Sequence, residues 1–323
     1  MDSYDLEEAV MRVFAIALFT AGSFAFGGSV LAQEKVVMGM SGWTGFQPLK
    51  LAEYAGIFKK NGVDIEIRMI PPVQRSAALA AGALNAAATT VDQHVVWTSA
   101  GIPTVQVALI DKSSGGDGIA VRNHINSIKD LKGKSINVDG PGTVQHFMLS
   151  YILQKNGLTM QDVIRVTMGA NPAAQAFVAG QNDAAVTYEP YLSSVRAKPD
   201  SGKILVTSND YPVVIDVLVF RKDYIDKNPR IVKATVDSFF EALDMIKREP
   251  AKSYELMGST VKQAGDAFAK SAAFITWTDR AANKAYYSKE HAPFVEFAVG
   301  VLKFNRVIQN EPRAKDMIDL RFQ

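Results

Sequence analysis

The chain reads as an α/β protein of two similar lobes, and three observations carry that reading. Short β-type runs alternate with helical ones, one stretch of that alternation recurs about a hundred residues later, and 323 residues are roughly twice the ~150 of one domain. From the start of the pattern, residues 36–40 read as a strand and 48–60 as a helix. In 63–69, Val63, Ile65, Ile67 and Met69 alternate with Asp64, Glu66 and Arg68, the period of a half-buried strand. Helices follow at 77–81 and 92–99, then strands at 105–110, 118–122 and 134–138. The second half continues with helices at 143–156 and 173–179, a strand at 184–188, a helix at 190–197, strands at 204–207 and 213–220, and a long helix at 230–247. Beyond Lys252 the sequence predicts helical packing only, and Trp277, Tyr286 and Tyr287 receive no role.

The recurrence is specific. Ala81-Gly82-Ala83-Leu84-Asn85-Ala86-Ala87-Ala88-Thr89 lies over Ala179-Gly180-Gln181-Asn182-Asp183-Ala184-Ala185-Val186-Thr187, an A-G-x-x-[ND]-A-A-x-T pattern offset by 98 residues. A similar offset brings Trp43-Thr44-Gly45-Phe46-Gln47 onto Gly142-Thr143-Val144-Gln145. Sheets of this kind bind ligands beyond the carboxyl ends of their strands, where loops and helix N-termini converge. Two copies therefore predict a cleft. Residues 41–47 and 140–146 form one pair of opposed walls, and 89–92 and 187–189 the other.

Composition removes most alternatives. Thirty-five basic and 33 acidic residues leave a net charge of +2, which does not point to a nucleic-acid partner. The absence of cysteine excludes disulfides, thiolate metal sites, iron–sulfur clusters and cysteine nucleophiles. Four scattered histidines make no spaced metal set, and no HExxH, GxSxG or GxGxxG occurs, so neither metal, cofactor nor catalysis is expected. Arg12 precedes an apolar run, residues 13–26, that is short for a membrane span, and Val30 and Ala32 sit at small-residue cleavage positions. Residues 1–32 thus read as a signal peptide, with Met11 an alternative start. Its removal takes four acids and one arginine and moves the remaining chain from +2 to +5. A periplasm-like destination follows.

Within the cleft, Trp43 and Phe46 in a glycine-punctuated loop offer aromatic faces to a flat or cationic ligand, with Gln47 beside them. Thr143 opens a helix after Gly140-Pro141-Gly142, and Gln145 and His146 lie in its first turn; Thr143 is equally a helix cap. Thr90, Asp92, Tyr188 and Glu189 fall on the second pair of walls, although Asp92 and Glu189 also suit caps, Glu189 because Pro190 follows. Asp117 precedes a strand, and Asp216 interrupts the apolar run 213–220, where an uncompensated carboxylate is costly. Carboxylates around an aromatic wall favour a ligand with ammonium, amidine or amide N–H groups. Arg75 and Lys112 are the scarce basic candidates.

Several segments occur together in a known order: Gly42-Trp43-Thr44-Gly45-Phe46-Gln47-Pro48 through Ala52-Glu53-Tyr54-Ala55-Gly56-Ile57-Phe58, then Asp117-Gly118-Ile119-Ala120-Val121 and Ile128-Lys129-Asp130-Leu131-Lys132-Gly133-Lys134. The Gly142-Thr143 helix start, Tyr188-Glu189-Pro190 and Asn228-Pro229 complete the set. In these the chain resembles the periplasmic solute-binding proteins of ABC importers of the nitrate, sulfonate and taurine type, together with the related binders of thiamine pyrimidine precursors. The resemblance implies the class II periplasmic-binding-protein fold, two Rossmann-like lobes joined by two crossover strands. Lobe 1 would comprise residues 33–117 and 218–323 and lobe 2 residues 118–217. It also implies a monomer that carries a small solute to an ABC permease and its ATPase. The acidic candidates depart from the sulfonate and nitrate pattern and turn the expectation toward a nitrogen-containing solute: an amine, an amino-sulfonate such as taurine, or a pyrimidine. The pyrimidine-precursor synthases of this fold carry a cysteine-rich motif that this chain cannot supply, and a ligand sensor would need an effector segment.

Overall fold

The computed structural model describes residues 35–323; the expected leader lies outside the described residues. In chain order the elements of the first part are β1 (Val36–Met40), α1 (Gln47–Tyr54), α2 (Ile57–Lys60), β2 (Ile65–Met69), α3 (Pro72–Ala80), β3 (Ala86–Thr90), α4 (Val91–Ser99) and β4 (Thr104–Ser113). There follow β5 (Asp117–Val121), β6 (Ser135–Val138), α5 (Val144–Lys155), β7 (Ile164–Thr167), α6 (Ala170–Val178), β8 (Ala184–Tyr188), α7 (Tyr191–Arg196) and β9 (Lys203–Thr207). The chain then runs through β10 (Ile215–Arg221), α8 (Lys222–Lys227), α9 (Pro229–Arg248), α10 (Pro250–Thr260), α11 (Gly265–Ala272), β11 (Ile275–Trp277), α12 (Arg280–Lys289) and α13 (His291–Phe304). None of the helices among the described residues is long and apolar enough to cross a membrane.

The strands form two sheets, ordered β11-β4-β10-β3-β1-β2 and β7-β6-β8-β5-β9. Apart from β11, the two have one plan. β1 lies parallel between β2 and β3 as β6 lies between β7 and β8. Antiparallel strands then follow, β10 and β4 in one sheet, β5 and β9 in the other. The sequence pattern suggested mainly parallel pairing. The antiparallel pairings arise at β5 and β10, each the first strand after a connection from the other sheet.

The repeated sequence has a mechanical reason. Gly82 and Gly180 take φ of 73° and 88°, which only glycine adopts without strain, and each turns a helix end into the third strand of its half. The shared Asn/Asp then fastens that strand to its neighbour. Asn85 accepts from the Val37 backbone N–H at 2.8 Å, and Asp183 accepts from the Ser135 N–H at 2.8 Å. The small alanines that follow are fully buried in both strands, letting helices approach the sheet closely.

Elsewhere the expected helix 48–60 is broken by Gly56 at φ 71° into α1 and α2. The largely exposed edge strand β7 carries too little apolar periodicity to be seen in sequence. β11 corrects the expectation of helices alone beyond Lys252: three residues extend the first sheet by pairing with β4. In α9, Val232, Val236, Phe239, Leu243 and Ile246 recur every three or four residues and bury one stripe. Two connections join the sheets, and a hydrogen bond of 2.7 Å between the Ser113 and Ser208 hydroxyls ties them together. The Gly115 N–H donates to Ser208 Oγ and the Asp117 N–H to Ser113 Oγ. Asp117 thus opens β5 in the second sheet, whereas Asp216 lies in β10 of the first.

Candidate functional site

The carboxyl ends of β1, β3 and β8 and the N-terminal turns of α3, α4 and α5 converge on a gap of about 320 Å³ between the sheets. Trp43, Phe46, Thr90, Asp117, Tyr188 and Asp216 line it, joined by Arg75, Gln93 and Val144. The four wall segments meet, but with partners exchanged relative to the expectation: 41–47 touches 187–189, and the helix that opens within 89–92 touches 140–146. The Thr44 N–H donates to the Glu189 carbonyl at 3.2 Å, and the Gln93 amide donates to the Gly142 carbonyl at 3.2 Å. Each bond runs from one sheet's loops to the other's.

Trp43 stands edge-on to Tyr188 at 5.6 Å, and its indole N–H donates to Asp111 Oδ1 at 3.3 Å. That arrangement depends on Gly45, where a Cβ would overlap both the Asp111 carboxyl and the indole nitrogen. Gly45→Ala is therefore expected to cost about 2 kcal/mol of stability and to displace Trp43, read as a lower melting temperature with altered tryptophan emission.

Acidic groups dominate the floor. Asp111 and Asp216 are cross-strand partners of β4 and β10, both buried. Burial pushes Asp111 up to about 8, and Asp216 is raised well above the usual carboxylate range by burial and by the Asp111 charge. Their carboxyls interact through a hydrogen bond that only a protonated member can donate. Burial likewise lifts Asp117 and Asp92 to about 7. Among the described residues no donor other than a neighbouring acid reaches Oδ2 of Asp111 or of Asp216, and Asp117 Oδ2 has no partner. Such acceptors are costly unless a donor arrives. Arg75 supplies the opposite charge. It is 2% exposed, one η nitrogen donates to the Ala88 carbonyl, and Nε is unpartnered. Burial lowers its guanidinium to about 10, still charged at neutral pH.

The other candidates from the sequence lie away from the gap's lining. Gln47 donates to the Trp43 carbonyl at 2.9 Å and accepts from Thr260, fastening the aromatic loop to α10. Thr143 caps α5, its hydroxyl accepting from the His146 N–H. Gln145 is buried with both amide atoms unpartnered. His146 faces a separate cavity, with Arg165 and Arg306. Asp92 sits in the first turn of α4, behind the lining. Glu189 is paired with Arg196 and accepts from the Ser193 N–H, and Pro190, joined to it by a cis peptide, takes the cap position of α7 rather than its first turn. Lys112 pairs at the surface with Glu290.

Asp111 was missed because the strand runs three residues further than its apolar pattern; an acid directly after such a run, as Asp216 interrupts another, was the available signal. Arg75 was seen but not placed, since nothing local shows that α3 starts at the gap. Trp97, in α4, packs in the core, and the Trp277 indole N–H donates to the Gly45 carbonyl at 2.9 Å.

Two α/β halves with one strand plan, joined by paired connections and enclosing a gap at their strand ends, form the periplasmic-binding-protein fold. The alkanesulfonate-binding protein SsuA of Xanthomonas axonopodis pv. citri, solved with MOPS, superposes with a TM-score of 0.74 at 18% identity, covering 90% of this chain and 99% of that one. SsuA of Escherichia coli gives 0.72 at 19% identity over 89% and 98%. The chain belongs to the NMT1/THI5-like family, whose model matches residues 43–253. Among relatives, a binding protein of Brucella abortus (strain 2308) is 25% identical over 66% of each chain, so the match spans just under two thirds of that relative. The taurine-binding periplasmic protein of Escherichia coli (strain K12) is 27% identical over 62% of this chain and 63% of its own.

Proposed function

We propose that this protein is the periplasmic solute-binding component of an ABC importer, a carrier rather than an enzyme, and that its solute bears a protonated amine or comparable N–H donors. The observation that supports this reading best is the cluster of buried carboxyls of Asp111, Asp117 and Asp216, each with an oxygen that no donor other than a neighbouring acid reaches, beside an aromatic wall. Hydrogen bonds from a cation would satisfy these oxygens and lower the acids' tendency to hold protons. The two sheets with their helices act as lobes in this reading, and a solute touching both shifts the population toward the closed form that a permease would recognise. The unpartnered Nε of Arg75 adds a place for an acidic group, so an amino-sulfonate or other zwitterion suits the gap better than a simple amine. The named specificities of the taurine- and sulfonate-binding relatives agree with an acidic group at one end.

A thermal-shift screen of the mature protein against amines, amino-sulfonates, ureas and pyrimidines tests the proposal, because a ligand of the native state raises the melting temperature. Amino compounds are expected to stabilise, and nitrogen-free sulfonates of equal size to do so far less. The reverse order would overturn the reading. Trp43→Ala is expected to weaken binding of the best compound about 30-fold in calorimetry, since the indole supplies wall area and orients Asp111.

A further inference from the structure

A second cavity, about 770 Å³, lies outside the central gap and is lined by His146, Gln161, Arg165, Asn305 and Arg306 together with apolar side chains. Its lining contains two arginines and no acidic residue. Arg165 belongs to β7, the edge strand of the second sheet. Arg306 follows α13 in a segment held on the first sheet's side. Ser99 at the end of α4 exchanges hydrogen bonds with Asn310, and the Gln106 N–H of β4 donates to the Met317 carbonyl. Neither arginine has an ion pair or side-chain hydrogen bond among the described residues, although elsewhere Arg68, Arg196, Arg221, Arg280, Arg313 and Arg321 are paired with acids. His146 is 3% exposed, and its Nδ1 lies 3.4 Å from the Ser150 hydroxyl. Burial and the neighbouring Arg165 charge hold this imidazole down at about 4, so it is neutral near pH 7 and contributes hydrogen bonding rather than charge.

We propose that this cavity binds a small oxyanion, which the guanidinium groups of Arg165 and Arg306 grip from the two halves of the molecule, with His146, Asn305 and Gln161 completing its hydrogen bonds. Two guanidinium groups on one cavity lining that holds no acid leave positive charge unmatched there, and an oxyanion touching both would gain two charge-assisted contacts. Phosphate, sulfate and carboxylate share the required chemistry. The site is independent of the central gap, whose cation is Arg75 and whose other charged groups are acids.

The test is thermal shift with sodium phosphate against sodium chloride at matched ionic strength, repeated with sulfate and acetate to rank the oxyanions. Phosphate at ten times its Kd is expected to raise the melting temperature by about 3 °C over chloride. Arg165→Gln and Arg306→Asn should each abolish that rise. Both side chains are exposed, and asparagine tolerates the φ of 57° at position 306, so folding is preserved. Asp216→Asn should keep the rise, because it alters only the central gap. No rise with any oxyanion, or a rise that survives both arginine variants, overturns the proposal. A rise lost in Arg75→Gln and kept in Arg165→Gln would place the anion in the central gap instead, overturning the second site while leaving the solute-binding reading intact.

Discussion

Asp216→Asn is expected to weaken binding of an amino solute about 100-fold while making the unliganded protein more stable at pH 8. The two effects have one origin. Asp216 and Asp111 face each other as buried cross-strand carboxyls, and with the solute absent they avoid a double negative charge only by retaining a proton. An amide at position 216 keeps the shape, donates a hydrogen bond to Asp111 without needing that proton, and relieves the repulsion. The gain in unliganded stability should be about 1–2 kcal/mol at pH 8, measured by denaturant unfolding. The same amide removes the charge that would meet an ammonium group, and truncating one member of a buried charge pair is expensive. Unchanged affinity in calorimetry would remove Asp216 from the solute's contacts, and lower stability at pH 8 would mean that the pair is not repulsive.

The second large effect concerns pH. Asp92 and Asp117 at about 7 and Asp111 at about 8, against an ordinary 3.8, keep protons in the folded state that the unfolded chain has already released. Asp216 shifts in the same direction. Their contribution is complete below the unfolded value and is lost as pH rises through the folded ones. Buried histidines act oppositely. His94 at about 3 and His146 and His291 at about 4, from an ordinary 6.5, are neutral in the fold where the unfolded chain binds protons, so they add stability as pH rises toward 6.5 and nothing beyond. The two trends offset one another below ~6.5, and only the carboxyl loss continues above it. Unfolding free energy of the unliganded protein should therefore fall on the order of 3 kcal/mol between about pH 6.5 and 8. A bound ammonium compound should flatten that decline by stabilising the ionised acids. Constant stability across this interval would show that the four acids are not held protonated.

Much of the fold was legible because its signals are local. The A-G-x-x-[ND]-A-A-x-T pattern encodes a helix stop at Gly82 and Gly180, a side-chain clip at Asn85 and Asp183, and a small-residue strand, all within ten residues of chain. Trp43, Phe46, Asp117 and Asp216 could be picked out because an aromatic in a glycine loop, or an acid within an apolar run, conflicts with its surroundings unless something meets it. Edge strands such as β7 and β11 escaped because β7 is largely exposed and β11 is three residues long with its partner far away in sequence.

By itself, then, the sequence determined two α/β halves of one plan with polar groups at their strand ends, since turns, clips and alternation act over a few residues. Only the tertiary structure decided which of those groups share a gap. It set Asp111 against Asp216 through strand pairing, brought Arg75 to the same floor, and sent His146 to a different cavity with Arg165 and Arg306. The reason is physical: the protonation of a buried carboxyl and the pairing of a guanidinium depend on charges within a few ångströms, and those neighbours come from segments separated by about a hundred residues.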